Sequence, residues 1–108
     1  MWLCTQFGFF SIVQKRPGEF HVRARVRRDL ENLAGLGGSA WEIIETADAD
    51  YRFRIVVDQR AVAAILAQLA ERIDYANFKG RIHSLPDQAE KGPAYGKLWG
   101  NLLALQEG

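Results

Sequence analysis

Sulfur chemistry is nearly absent from this chain. It has one cysteine, Cys4, so no internal disulfide can form and no zinc site can be built on paired thiols. A lone thiol fits a reducing cytosol. Two histidines and scattered acids show no metal-ligand spacing, and no metal or cofactor is expected. The G-x-S-x-G, P-loop and dinucleotide fingerprints are all missing. Net charge is scarce too: 14 basic against 13 acidic residues leave +1. That weak field argues against a general nucleic-acid glue but leaves room for a local patch. No apolar run reaches the roughly 18 to 20 residues that span a bilayer. The apolar start, M-W-L-C-T-Q-F-G-F-F-S-I-V, has no basic stretch ahead of it and no small-residue cleavage site behind it. Its aromatic and β-branched content reads as a strand, and the expectation is a cytoplasmic protein without a membrane partner.

What is present is enough for one modest core. The length of 108 residues predicts a single domain, residues 1–108. A chain of this size buries about two-thirds of its unfolded surface. Apolar residues at 48% and charged residues at 25% match a folded domain.

Residues 20 to 27 read F-H-V-R-A-R-V-R. Phe20, Val22, Ala24 and Val26 alternate with His21, Arg23, Arg25 and Arg27, the period-two pattern of a strand with one dry and one wet face. A long strand over Trp2–Gln14, with Gly8 at a bulge or bend, precedes it across the turn K-R-P-G. A short helix from Arg28 to Leu36 is expected next, presenting Leu30, Leu33 and Ala34 inward and stopped by Gly35, Gly37 and Gly38. Strands over Trp41–Thr46 and Tyr51–Val57 form a second hairpin, the latter with Tyr51, Phe53, Ile55 and Val57 on its apolar face. Asp58 is placed to cap a helix carrying Val62, Ile65, Leu66, Leu69 and Ile73. The stretch from Asp74 to Pro86 is irregular. A last helix spans about Ala94 to Gln106, weakened by Gly96 and Gly100. The order predicts an α+β two-layer sandwich: a four-stranded antiparallel sheet from two hairpin-helix units (ββαββα, a permuted ferredoxin-like arrangement) plus a C-terminal helix.

If the apolar sides of the second and fourth strands meet the helices, then His21, Arg23, Arg25, Arg52 and Arg54 gather on the far face. Glu42 or Glu45 can share that face. Arginine grips phosphate through two parallel bonds and stacks on bases. Open sheets carrying arginine and aromatic rings hold single-stranded RNA in several small domains. The plain alternative is an exposed sheet laced by Arg–Glu pairs, or one covered by a protein partner.

A second group of candidates lies in D-Y-A-N-F-K. Tyr75 and Phe78 fold back as anchors, Asn77 suits a left-handed turn, and Lys79 with His83 can form an acid/base or phosphate-binding pair. No carboxylate partner is fixed by spacing, and no catalytic residue is assigned. Cys4 reads as a small buried hydrophobe, with a Cys4–His21 nucleophile pair as the remote alternative. Trp2, Trp41 and Trp99 read as anchors of a core or an interface.

The motifs W-L-C-T-x-F-G-F-F-S-I-V, V-R-A-R, E-T-x-x-x-D-Y-R-F-R, D-Y-x-N-F-K and a late L-W resemble those of a family of small bacterial proteins with no established activity. The resemblance runs from Met1 to about Gln106. It implies a small bacterial cytosolic protein and carries no reaction, ligand or residue role.

Three functions remain. The first is a non-enzymatic interaction module that self-associates or binds a protein partner. The second is a binder of single-stranded nucleic acid or of a phosphate ligand through the arginine face. The third, an enzyme with Tyr75, Lys79, His83 and His21 around one cleft, has the least support.

Overall fold

The first apolar stretch is two strands, not one. In the computed structural model, which describes residues 1–107, β1 (Trp2–Thr5) and β2 (Gly8–Arg16) pair as a tight antiparallel hairpin. Thr5 makes the turn. Its Oγ1 accepts from the amides of Phe7 and Gly8 at 3.2 and 3.1 Å and donates to the Gly8 carbonyl at 2.8 Å. Gly8 is therefore the first residue of a strand rather than a bulge. Nothing in Gln6-Phe7 announces the turn, because neither residue is specialised for turns and a threonine hydroxyl supplies the bonds.

The polypeptide continues through β3 (Glu19–Ala24), α1 (Arg27–Gly37), β4 (Ile44–Glu45), β5 (Phe53–Val57) and α2 (Gln59–Glu71). The sheet has five strands instead of the expected four, in the order β1-β2-β3-β5-β4, all antiparallel. Helix α1 runs through Gly35 and Gly37 and stops at Gly38, which takes the left-handed conformation (φ 64°) that glycine tolerates best. Of the expected Trp41–Thr46 strand, Ile44 and Glu45 form β4, and the Thr46 amide adds one bond to the Arg52 carbonyl at 2.8 Å. Trp41 and Ile43 pack onto the core instead. Asp58 caps α2 as expected, accepting from the Ala61 amide at 2.9 Å. The helix ends at Glu71, so Ile73 lies past it and is exposed.

One face of the sheet is the dry one. Phe10, Ile12, Val22, Ala24 and Ile55 from the strands meet Leu30 and Leu33 of α1 and Val62 and Ile65 of α2. Each large side chain buried there contributes about 2 kcal/mol.

Helix α1 also clamps the β1–β2 turn. Asp29, only 1% exposed, accepts from the Phe9 backbone amide at 3.2 Å, and the Asn32 side-chain Nδ2 donates to the Phe7 carbonyl at 2.9 Å. Gly8 passes so close to Asp29 that a Cβ there would occupy the space of the Asp29 side chain.

The chain divides into two compact units, Met1–Asp74 and the remainder from Tyr75 onward. The second unit is helical: α3 (Phe78–Ser84), a short 3-10 turn (Ala89–Lys91) and α4 (Gly92–Glu107). Helix α3 lies in the stretch expected to be irregular. Asn77 does not take a left-handed turn. Its backbone is extended (φ −133°), and its side chain caps α3 by accepting from the Gly80 amide at 2.9 Å. The rings of Tyr75, Phe78 and Tyr95 form a ladder, with centroids 5.8 and 5.2 Å apart.

Candidate functional site: a guanidinium row across the sheet

The period-two pattern that buries Val22 and Ala24 turns His21 and Arg23 to the other side. The register then extends this face across the sheet. Trp2 pairs with Ser11, Ser11 with Arg23, Arg23 with Arg54, and Arg54 with Ile44. Directly opposed residues on antiparallel strands share a face, so these five residues form one row over all five strands. Neighbouring strands lie about 4.8 Å apart, which sets Trp2 and Arg54 roughly 14 Å from each other along it. Beside it runs a second row, Val13, His21 and Val56.

Arg23 and Arg54 therefore stand directly opposite each other, both half-buried. Like charges in that relation destabilise a sheet. Among the described residues, no carboxylate forms an ion pair with Arg23, Arg25 or Arg54. Arg23 instead donates to Ser11 Oγ at 2.7 Å, and its guanidinium lies 4.5 Å from the centroid of the Tyr51 ring. Its Nε–H is buried and has no acceptor. Arg25, just past the end of β3, donates to the Asp50 carbonyl at 2.8 Å and lies 4.4 Å from the same ring. Tyr51, buried, is thus a platform for two cations rather than a member of the apolar stripe of β5.

Arg52 departs from the expected cluster. It precedes β5, donates to Glu45 at 2.9 Å and lies 5.8 Å from the Phe53 ring. Its charge is neutralised in place.

His21, with 14% of its side chain exposed, is the centre of a relay. Arg16 binds both carboxylate oxygens of Glu19, at 3.0 and 3.1 Å. Glu19 Oε2 lies 3.0 Å from His21 Nε2, and His21 Nδ1 lies 3.1 Å from Arg54 Nη1. A guanidinium only donates and a carboxylate only accepts. Nδ1 must therefore accept and Nε2 must carry the hydrogen, which makes His21 neutral in this arrangement. The His21 bond is the main cause holding the Glu19 carboxyl below its ordinary range; desolvation opposes it, and the charge and bond of Arg16 add smaller lowering effects. With both ring nitrogens engaged, His21 is no base for Cys4, whose thiol is pushed up by burial.

The remaining candidates lie in the second unit. The Tyr75 ring packs on Phe78, Asn77 caps α3, and the Lys79 ammonium sits 4.5 Å from the Trp99 ring centroid. Each of the three has a structural task within that unit. Among the described residues no cluster of His, Cys, Asp and Glu could hold a metal ion, and no helix is long and apolar enough to cross a membrane.

Trp2, Ser11 and Tyr51 were not singled out as site residues by the sequence. The signal for Ser11 was its place in phase with Phe9 and Val13. Trp2 joins the row only through the turn at Gln6-Phe7, which fixes its partner as Ser11. It is 65% exposed, with its ring edge-on to Phe9 at 6.0 Å. No family model, curated protein or solved structure matches the chain, so the site is read from its own geometry.

Proposed function

We propose that the row Trp2–Ser11–Arg23–Arg54 binds single-stranded nucleic acid. Phosphates are held by Arg23 and Arg54, and a base stacks on Trp2. The observation that carries this reading is the in-register Arg23–Arg54 pair, with which no carboxylate among the described residues forms an ion pair. Bound phosphates offset the repulsion between the two guanidiniums and accept from their N–H donors. An exposed aromatic at the end of the same row is the second element of a single-strand site, because every base has a π-face to stack. The scaffold reading that accompanies it takes strands β2 to β5 with α1 and α2 as a permuted ferredoxin-like arrangement, supported by the order β2-β3-β5-β4. The lone thiol supports a reducing, cytosolic setting.

The test is titration of a fluorescent single-stranded oligonucleotide at low salt. Binding should be saturable, and log K should fall with log salt at a slope of about −1.4, as expected for two neutralised phosphates on a single strand. Absence of binding at low salt removes the reading.

A second reading, self-association as an interaction module, has its own observation. Trp99, Leu102 and Leu105 are all exposed on α4, and exposed apolar ridges of this kind are often covered by a partner. Sedimentation velocity at high micromolar concentration should then show a dimer. A strict monomer removes the idea.

A further inference from the structure

We propose that nucleic-acid binding at Arg54 is coupled to the uptake of one proton by His21, which makes the sheet face a pH-gated phosphate site. This rests on the reading of that face given above. In the neutral arrangement His21 Nδ1 is the acceptor for Arg54 Nη1, so part of the guanidinium is committed to the imidazole. Protonation from solvent places a hydrogen on Nδ1. The acceptor is lost, and an imidazolium then faces a guanidinium across what was a hydrogen bond.

The groups around His21 decide how that state is accommodated. On β3, Glu19 stays bonded at Nε2, and Arg23 shares the face two residues on. On β2, the residue opposite is uncharged Val13, while Arg16 reaches Glu19 rather than His21. On β5, the residue opposite is uncharged Val56, and Arg54 is the diagonal neighbour. Helices α1 and α2 pack on the other side of the sheet. Protonated His21 therefore has one carboxylate at Nε2 and, at Nδ1, only cations. A phosphate oxygen between Nδ1 and Arg54 supplies the missing acceptor and sets a negative charge against both the imidazolium and the guanidinium. The anion stabilises the protonated imidazole, and by reciprocity the protonated imidazole tightens the anion. Glu19, held below the ordinary carboxylate range, stays ionised throughout and keeps Nε2 occupied.

The probe is oligothymidylate, whose bases and phosphodiesters do not titrate in the window used. Its affinity for the full chain is measured from about pH 8 to about pH 5, the span in which imidazoles change charge. Affinity should rise roughly tenfold as pH falls, because proton and anion each favour the binding of the other at the Nδ1 side of the ring. His21→Gln keeps a neutral donor and acceptor but cannot take the proton, so its affinity should be flat across the range. His83→Gln should keep the rise. Calorimetry of the unaltered chain in two buffers of different ionisation enthalpy gives an independent count, with net proton uptake on binding expected within that pH span. The inference is overturned if affinity is unchanged with pH, if His21→Gln keeps the rise, or if no proton is taken up. Failure to bind at any pH overturns the nucleic-acid reading itself and this inference with it. Binding that ignores pH overturns this inference alone.

Discussion

Replacing Arg23 and Arg54 together with alanine should weaken oligonucleotide binding about a thousandfold while leaving the chain folded. Each guanidinium is assigned a charged hydrogen-bonding partner, and such bonds contribute about 2 kcal/mol apiece, so losing both costs about 4 kcal/mol. The fold should tolerate the change because neither side chain belongs to the core under α1 and α2. The double substitution removes the Arg23 bond to Ser11, the approach of Arg23 to Tyr51 and the Arg54 bond to His21. In compensation, a pair of like charges in register disappears. The unfolding free energy should shift by less than about 1 kcal/mol.

Two companions make the result specific. Arg52→Ala removes an equal charge nearby but breaks only an exposed pair with Glu45, so its affinity should stay within about twofold of the parent. Trp2→Ala should weaken binding by about 2 kcal/mol, the contribution of one stacked base, with little loss of stability because the ring is mostly exposed. If Arg52→Ala matches the double variant, binding follows net charge and the row has no special role.

Gly8→Ala should destabilise the fold by about 3 kcal/mol, more than any single surface change in the sheet. The added methyl would fall where the Asp29 Cβ and carboxyl carbon stand. Asp29 is 1% exposed on the first turn of α1 and accepts the Phe9 amide, so it has no open space to retreat into. Overpacking of this kind costs about 1–3 kcal/mol, and displacing the carboxylate also takes the acceptor from a half-buried amide. Gly8 also has φ 157°, a region where a side chain adds strain. The cause can be isolated by a double-mutant cycle. In an Asp29→Gly background the same Gly8→Ala change should cost much less, because both the Cβ and the carboxyl carbon in its way are gone. Urea unfolding of the four chains gives the numbers. A Gly8→Ala protein within about 0.5 kcal/mol of the parent would show that the turn and α1 do not meet as described.

Much of this arrangement was legible from residue order. The alternation in F-H-V-R-A-R-V-R placed Val22 and Ala24 inside and His21 and Arg23 outside, because a strand allows only two sides. Asp58 announced its helix through the one position where a carboxylate can accept a free amide. Three things were not legible. The β1–β2 turn is made by the Thr5 hydroxyl and by α1, twenty residues and more along the chain, so no local signal marked it. That missing turn hid the fifth strand and with it Trp2's place in the row. Helix α3 was hidden because its seven residues are too few to show a clear period, although its cap, Asn77, was in view. The fate of each arginine was also out of reach. Arg23, Arg52 and Arg54 look alike in the sequence, yet Arg52 finds Glu45, Arg54 finds His21 and Arg23 finds a hydroxyl. Which cation keeps its charge uncompensated is decided by register, and register is a property of the paired strands.

The claim that one sheet face carries the ligand is tested most directly by following backbone amide shifts as the oligonucleotide is added. The account predicts perturbations concentrated on Trp2, Ser11, His21, Arg23 and Arg54 and their immediate neighbours, with α1 and α2 unaffected. Shifts scattered over the surface, or gathered on the helices, would contradict it.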